Sequence, residues 1–499
     1  MWPAVRKFFS TRFLILFLPA ILIVGGALLP LLFGKGSSKK ANERYLRQAD
    51  DLSALWSFYK HTFIRDGRVV SLDEGGNTTS EGQGYALLRA VWSNDRETFD
   101  SVWAWTRRNL QVRGDRLFAW KWNGTVVDSN AATDADTDIA LALILAERKF
   151  GESFYREEAL SILDDIWKKE VLRVGKNYVV TAGNWAVHER FPTIHVAYLA
   201  PYAYEEFAGV DSRHPWKHVV AGSYEILHWL YGEKKVSLPP EVIYIDRNSG
   251  GFLLRHPQTG KEPAFSYDAF PLFWRMALDK EWSHRREGDL RARMISFFER
   301  EWKAERKFYD RYTIDGRPLS DLEALPLYAT VHALAGEEGS FLADDIRAQK
   351  LDPLWQGALE GQSTPYYLHN WLWFSRALEL EAVRDFDEFL GFLRPFDFVN
   401  FSSHFPWILS LAALVLYSLA RFHRYFRIAF FACGVLLCIR YLLWRALYSL
   451  NFVEPLGPLI SLTLWSAEIY CFSTVLLLAI QVGFNRFRRM PKSSAGYDP

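Results

Sequence analysis

Cysteine is nearly absent. The 499 residues hold three, Cys433, Cys438 and Cys471, all inside an apolar C-terminal stretch. Neither a disulfide framework nor a cysteine zinc site can then organise the main body of the chain. A charge excess of one sign is also missing, with 59 Lys plus Arg against 58 Asp plus Glu and a formal charge of +1. That balance argues against nucleic acid as a partner, which would call for a basic patch or stripe. Aromatics, by contrast, are plentiful: 20 tryptophans, and 16% Phe, Trp and Tyr together. Such a content needs buried cores, flat stacking platforms or membrane interfaces. A mass of 57.8 kDa is too large for one ordinary core and suggests two or more units.

Long apolar runs occur only at the two ends. Phe13 to Phe33 form an uncharged run preceded by Arg6, Lys7 and Arg12, long enough to cross a bilayer as a helix. A cleaved secretory signal is the rival reading, but its apolar region would be unusually long and no clean small-x-small site follows. Three further candidate spans lie at about 404–420, 428–447 and 456–484. Arg421, Arg424 and Arg427 separate the second span from the third, and Arg486, Arg488, Arg489 and Lys492 follow the fourth. Because positive loops stay cytoplasmic, both termini are expected inside and the body between the spans outside. The expected organisation is a cytoplasmic start (1–12), an anchor (13–33), a tether (34–45), an exported domain (46–385), a link (386–403), three membrane helices (404–484) and a cytoplasmic basic tail (485–499).

Within the body the dominant period is helical. Leu52, Trp56, Tyr59 and Phe63 draw one apolar stripe, as do Tyr85, Leu88 and Trp92, and then Ile139, Leu143 and Ala146. Alternation of the strand type is confined to short pieces such as Tyr178 to Thr181 and Val242 to Asp246. Ten to twelve helices in this length predict a large all-α domain, a helical barrel.

Three acid-bearing stretches could carry chemistry. In Ser80-Glu81-Gly82-Gln83-Gly84-Tyr85, Glu81 falls in the first turn of a helix, and the two glycines are expected to leave open space for a bulky ligand. The same position suits ordinary capping and dipole compensation. Asp128, Asp134, Asp136 and Asp138 crowd the approach to the next helix. They could be an N-cap cluster, a calcium loop or a substrate-binding edge, although the glycine and terminal Glu of a calcium loop are missing. Asp268 follows Ser266-Tyr267 and precedes an aromatic helix. It reads equally as a tuned acid or a buried cap.

Taken together, Ser-Glu-Gly-Gln-Gly-Tyr, Asp-Ser-Asn-x-x-x-Asp-Ala-Asp and Ser-Tyr-Asp-Ala resemble glycoside hydrolase family 8, above all the endoglucanases that accompany bacterial cellulose synthases. Phe118-Ala119-Trp120-Lys121-Trp122, Leu238-Pro239-Pro240 and Tyr366-Tyr367 with Asn370 fit in the same order, so the resemblance covers roughly residues 46–380. It implies an (α/α)6 barrel with an open groove, hydrolysis of β-1,4-glucans with inversion, and no metal or organic cofactor. Carried over, Glu81 is the general acid, Asp268 the general base, and Asp136 an acid that grips the sugar and positions water. Tyr267 and Tyr198 orient the base and that water. Trp120, Trp122 and Trp185 are sugar platforms, with Gln83 and Tyr85 as further substrate-binding residues. Two departures stand out. His195-Val196-Ala197-Tyr198 keeps only the tyrosine of the family's Asn-Pro-Ser-Tyr run, and Pro271 replaces an arginine three residues after the base. Losing that cation should raise the pKa of the base and loosen its orientation.

Arg440 to Arg445, Leu450-Asn451, Pro455-Leu456-Gly457 and Ala467-Glu468-Ile469-Tyr470 resemble the membrane region that leads into bacterial cellulose synthases. This implies either a piece of a longer fusion or a tail that docks beside a separate synthase-like glycosyltransferase. The expected protein is a hydrolase at the bacterial inner membrane, its domain on the outer face, trimming a β-1,4-glucan exopolysaccharide as it is made. The alternatives are a weak or non-hydrolytic glucan-guiding module, or a hydrolase of xylan or chitosan.

Overall fold

Leu52, Trp56, Tyr59 and Phe63 all turn inward from a helix through residues 51–63, designated α1, and are 9% exposed or less. The computed structural model describes residues 51–383 except 284 and 286. The cytoplasmic start, the four expected spans, the tether, the link and the basic tail all lie outside the described residues. Among those described, no helix is long and apolar enough to cross a membrane.

Among the described residues twelve more α-helices follow: α2 (Ser80–Trp92), α3 (Arg96–Asn109), α4 (Thr133–Phe150), α5 (Ser153–Glu170), α6 (Pro201–Val210), α7 (Trp216–His228), α8 (Pro271–Ser283), α9 (Leu290–Glu305), α10 (Leu325–Glu337), α11 (Phe341–Ile346), α12 (Asp352–Leu359) and α13 (Tyr366–Glu379). In sequence order α2, α4, α6, α8, α10 and α13 pack each on the next as an inner run. Arg89 of α2 closes it by donating from Nη2 to Asn370 Oδ1 of α13 at 2.8 Å. The remaining helices pack outside: α3 on α2, α5 on α4, α7 on α6, α9 and α11 on α10, and α12 on α13. The domain is a helical (α/α)-barrel.

Composition explains which helices lie inside. Every residue of α4 from Thr133 to Ala146 is buried, and so is every residue of α10 from Pro326 to Ala335. A helix apolar nearly all round must be enclosed by others. By contrast α3, with Arg96, Glu97, Arg107 and Arg108, buries only Phe99, Val102, Trp103 and Thr106. That one stripe is what an outer helix needs.

Short antiparallel ribbons decorate the connections. Lys121–Trp122 pairs with Thr78–Thr79 on one side and Val126–Asp128 on the other. Val242–Asp246 lies between Thr193–His195 and Gly251–Leu253. The alternation near Tyr178 becomes the hairpin Val171–Val174 with Asn177–Val180. Each stretch that sequence marks for chemistry opens or immediately precedes an inner helix: Glu81 on α2, the aspartates on α4, Tyr198 before α6, Asp268 before α8, and Tyr366-Tyr367 on α13. One end of the barrel therefore gathers them.

Candidate active site

Thr79 caps α2, its Oγ1 accepting from the Gly82 backbone N–H at 3.1 Å, and so fixes Glu81 in the first turn. The Tyr85 hydroxyl, one turn on, donates to Glu81 Oε1 at 2.7 Å. Burial pushes the Glu81 carboxyl up to about 8, helped by the negative charges of Asp134 and Asp138 and opposed by the Tyr85 bond and Arg275. A carboxyl held protonated near neutrality can donate a proton. The glycines beside it do not leave open space, as sequence suggested. A β-carbon on Gly82 would stand 2.4 Å from the Tyr366 hydroxyl oxygen, and one on Gly84 3.3 Å from Asp138 Cβ. They let α13 and α4 approach Glu81 closely.

The four aspartates have four different tasks. Asp128 accepts from the Asn130 backbone N–H at 2.9 Å and from the Trp120 indole, holding a rim ribbon. Asp134 takes the Tyr198 hydroxyl, and its Oδ1 has no protein donor. Burial lifts its pKa to about 7, with Arg275 pulling down and Asp138 pushing up. Asp136 points elsewhere: it is fully buried, accepting from the Phe118 N–H at 3.0 Å and facing Glu170. Asp138 holds Arg275 in a two-pronged pair at 2.9 and 2.7 Å, and Tyr202 also accepts from Arg275 at 2.8 Å. The expectation that Asp136 grips the sugar is therefore corrected. Asp134, two residues earlier and on the opposite side of the helix, is the acid that shares the pocket of Glu81.

Asp268 stands open to solvent in the short turn before α8. Partial burial of its carboxyl raises its pKa, and the Lys261 cation opposes that rise. Pro271 leaves no arginine at its own position. Arg275, one turn along α8, carries a cation to Asp138, and its charge acts on Glu81 and Asp134. Tyr198 links the acids: its phenol bonds Asp134 and feels the charges of Glu81 and Asp268. His195 stacks on the Tyr198 ring at 4.8 Å, and Tyr204 donates to the Tyr198 carbonyl at 3.0 Å. Those contacts hold the tyrosine without the Asn-Pro-Ser run.

The other sequence-chosen residues divide. Trp185 is 39% exposed and free to serve as a platform. Trp120 is partly exposed, with the Lys121 ammonium 5.1 Å from its ring. Trp122 is also partly exposed, with the Arg68 guanidinium 4.3 Å from its ring centre and Trp105 edge-on to it at 5.3 Å. Tyr267 turns a 41% exposed ring outward beside Phe270 and Tyr367, offering a face to a ligand. Gln83 does not reach the groove. It is fully buried, donating to Thr106 Oγ1 at 2.6 Å and the Gly67 carbonyl at 3.1 Å, and accepting from the Val69 N–H at 2.6 Å. Tyr85 is 3% exposed, and its hydroxyl bonds Glu81. Tyr367 joins the site, because its phenol feels both Glu81 and Asp268 and donates to the Tyr267 carbonyl at 3.0 Å. Its place at the start of the last inner helix was the available signal.

Comparison with known proteins follows the same outline. The profile of the family described as Glycosyl hydrolases family 8 matches residues 43–353. A protein of Novacetimonas hansenii named "Probable endoglucanase" is 29% identical over 260 residues, 51% of this chain and 72% of that protein. An endoglucanase of Cellulomonas uda is 29% identical over 226 residues, 44% of this chain and 62% of its own length. The structure of endo-beta-1,4-glucanase CMCax from Acetobacter xylinum superposes with a TM-score of 0.54 at 24% identity, over 67% of this chain and 99% of that one. That likeness speaks to the fold.

Proposed function

This chain belongs to glycosyl hydrolases family 8, a glycoside hydrolase family whose mechanism is inverting, and from that premise we propose that it is an endo-β-1,4-glucanase with Glu81 as acid and Asp268 as base. The observation that carries the assignment is the contrast between the two carboxyls. Glu81 is desolvated and held protonated by its surroundings, whereas Asp268 is exposed to solvent. Two titratable groups whose environments differ in this way suit the acid and base roles. Glu81 delivers its proton to the departing glycosidic oxygen, and Asp268 takes one from the water that attacks the other face of the sugar. Inverting pairs stand about 6.5–9.5 Å apart to admit that water. Asp134, with one oxygen on Tyr198 and the other without a protein donor, holds a hydroxyl of the sugar at the cleavage point.

The polymer is a cellulose-like glucan in this reading, supported by the names of the related endoglucanases. Reducing-end release from carboxymethylcellulose by the full-length chain tests it, beside Glu81→Gln and Asp268→Asn. Each variant should lose at least ~100-fold in kcat, the usual contribution of a positioned acid or base. Retained activity in either would remove that residue from its role. Product released first as the α-anomer would identify inversion.

The apolar runs at the two ends support a second part of the proposal, that the domain is held at the outer face of a bacterial inner membrane beside a glucan-synthesising glycosyltransferase. Protease added to spheroplasts should cleave the domain while it remains with the membrane fraction. Protection from protease would place the domain on the other side.

A further inference from the structure

Behind the acids of the groove lies a second carboxyl pair with no part in the hydrolytic steps. Asp136 and Glu170 are each 0% exposed, and their carboxyl groups face one another within hydrogen-bond reach. Glu170 is the last residue of α5, and its carbonyl accepts from both the backbone N–H (2.8 Å) and the hydroxyl (3.0 Å) of Thr181. Asp136 sits in the first turn of α4, two residues from Asp134. Asp136 Oδ1 accepts the Phe118 N–H, while among the described residues no N–H reaches Asp136 Oδ2 or either oxygen of Glu170. The groups around the pair are few. Thr133 places its hydroxyl beside Glu170, Asp134 adds negative charge, and Arg113 attracts both carboxyls from a distance. Arg113 is already committed to Asp115, at 2.8 Å from Nε and 3.0 Å from Nη2. Two ionised carboxylates are acceptors only and cannot bond one another, and burying both charges without a partner cation is strongly unfavourable.

We infer that Asp136 and Glu170 share a single proton, and that the resulting carboxylic acid–carboxylate bond is a positioning device that ties α4, α5 and the Phe118–Trp122 strip together. The strip follows directly from the bond: Asp136 holds the Phe118 N–H, the Ala119 N–H bonds the Leu110 carbonyl, and the Trp120 N–H bonds the Asn130 carbonyl. The Trp120 face and the Asp134 carboxyl are thus carried by elements that meet at this proton. Burial raises the pKa of both members, which favours a proton held on the pair. Glu170 acts only through Asp136 and touches no substrate. This inference concerns how the groove is held and is independent of which polymer occupies it.

Glu170→Gln provides the test, because an amide supplies the N–H that the shared proton supplies in the parent. Tm and the KM and kcat for carboxymethylcellulose would be measured from pH 5 to pH 9 on the full-length chain, with Glu170→Gln and Glu170→Ala alongside. A group whose folded pKa lies above its unfolded value contributes stability at low pH that is lost as pH rises. Glu81 and Asp134 titrate in the same window in all three proteins, so the difference between parent and variant isolates the pair. The expected result is a Glu170→Gln protein with parental KM and Tm near pH 6 and a shallower fall in Tm toward pH 9. Glu170→Ala should lose roughly 5 °C in Tm and raise KM more than it lowers kcat, since an unpaired buried acceptor loosens the strip. Identical pH slopes for the parent and Glu170→Gln would overturn the shared proton. Damage from Glu170→Gln equal to that from Glu170→Ala would overturn the hydrogen bond itself. If Glu170→Ala does not fold, the Glu170→Gln comparison still decides.

Discussion

The Tyr85 hydroxyl donates to Glu81 Oε1 at 2.7 Å, from one helical turn along the same inner helix. A bond to the ionised form favours ionisation, so it restrains a carboxyl that burial drives upward. Without it Glu81 would hold its proton more tightly than a donor should. Tyr85→Phe is therefore expected to move the alkaline limb of the kcat/KM profile upward by roughly one pH unit and to lower kcat several-fold. A limb that stays in place would mean that another group governs it.

Asp134 and Asp136 should respond to substitution in opposite ways. Asp134→Asn removes a charge from the pocket of Glu81 and is expected to cost about 100-fold or more in kcat while the protein stays folded. Asp136→Asn keeps a hydrogen bond to Glu170 and an acceptor for Phe118, so kcat should stay within about threefold of the parent. Steady-state kinetics with circular dichroism on both variants separate the two. A reversed order would return Asp136 to the groove.

Stability should fall as pH rises through neutrality. Glu81 and Asp134 have ordinary values of 4.5 and 3.8 and folded values of about 8 and about 7. Between those limits the folded protein binds more protons than the unfolded chain, so each step up in pH favours unfolding. Tm is expected to drop by roughly 5 °C or more between pH 5 and pH 8, with a smaller drop in Glu81→Gln. Scanning calorimetry across that range checks the sign, and a Tm that rises toward pH 8 would contradict the burial of Glu81.

Gly82 has a steric reason that a double substitution can expose. Its missing β-carbon leaves room for the Tyr366 hydroxyl, which would stand 2.4 Å from a methyl placed there. Gly82→Ala should therefore push α13 away from α2 and lower kcat by about tenfold or more, since sub-ångström misplacement is costly at a proton donor. Tyr366→Phe in the same chain removes the clashing oxygen, leaving the Tyr366 Cζ position at 3.5 Å. The pair is expected to recover part of the loss. Failure to recover would place the fault of Gly82→Ala elsewhere.

The helical fold was legible because its signals are local. The stripe of Leu52, Trp56, Tyr59 and Phe63 requires only the helical period, and all four are buried as that period demands. Glu81 and Asp268, the proposed acid and base, also stood out, each at the edge of a helix with small or aromatic neighbours. The acids of the second stretch were harder to sort, because Asp134, Asp136 and Asp138 alternate around a helix whose mouth-facing side no local rule specifies. Two residues rotate the side chain by roughly 200°, so choosing Asp136 chose the wrong face. The partner of Trp122 was not legible for a different reason: the guanidinium over its ring comes from Arg68, far back along the chain. Gln83 looked like a ligand group because its motif surrounds Glu81, yet its partners Gly67, Val69 and Thr106 lie on other elements. Pro271 was read for the missing cation, and the raised pKa of Asp268, with no arginine acting on it, runs in the expected direction.

The bond from Arg89 to Asn370 that closes the inner run joins residues 281 apart in sequence. During translation at about 5–20 residues per second, the two sides of that seam are made roughly 15–60 s apart. The Glu81 side of the groove therefore waits, unsealed, for the last inner helix to arrive. Tyr366, whose hydroxyl lies over Gly82, and Tyr367, whose phenol feels both Glu81 and Asp268, come with that helix. A nascent chain carries the acid long before it carries a working cleft, and hydrolytic competence begins only when the barrel's final stave is in place.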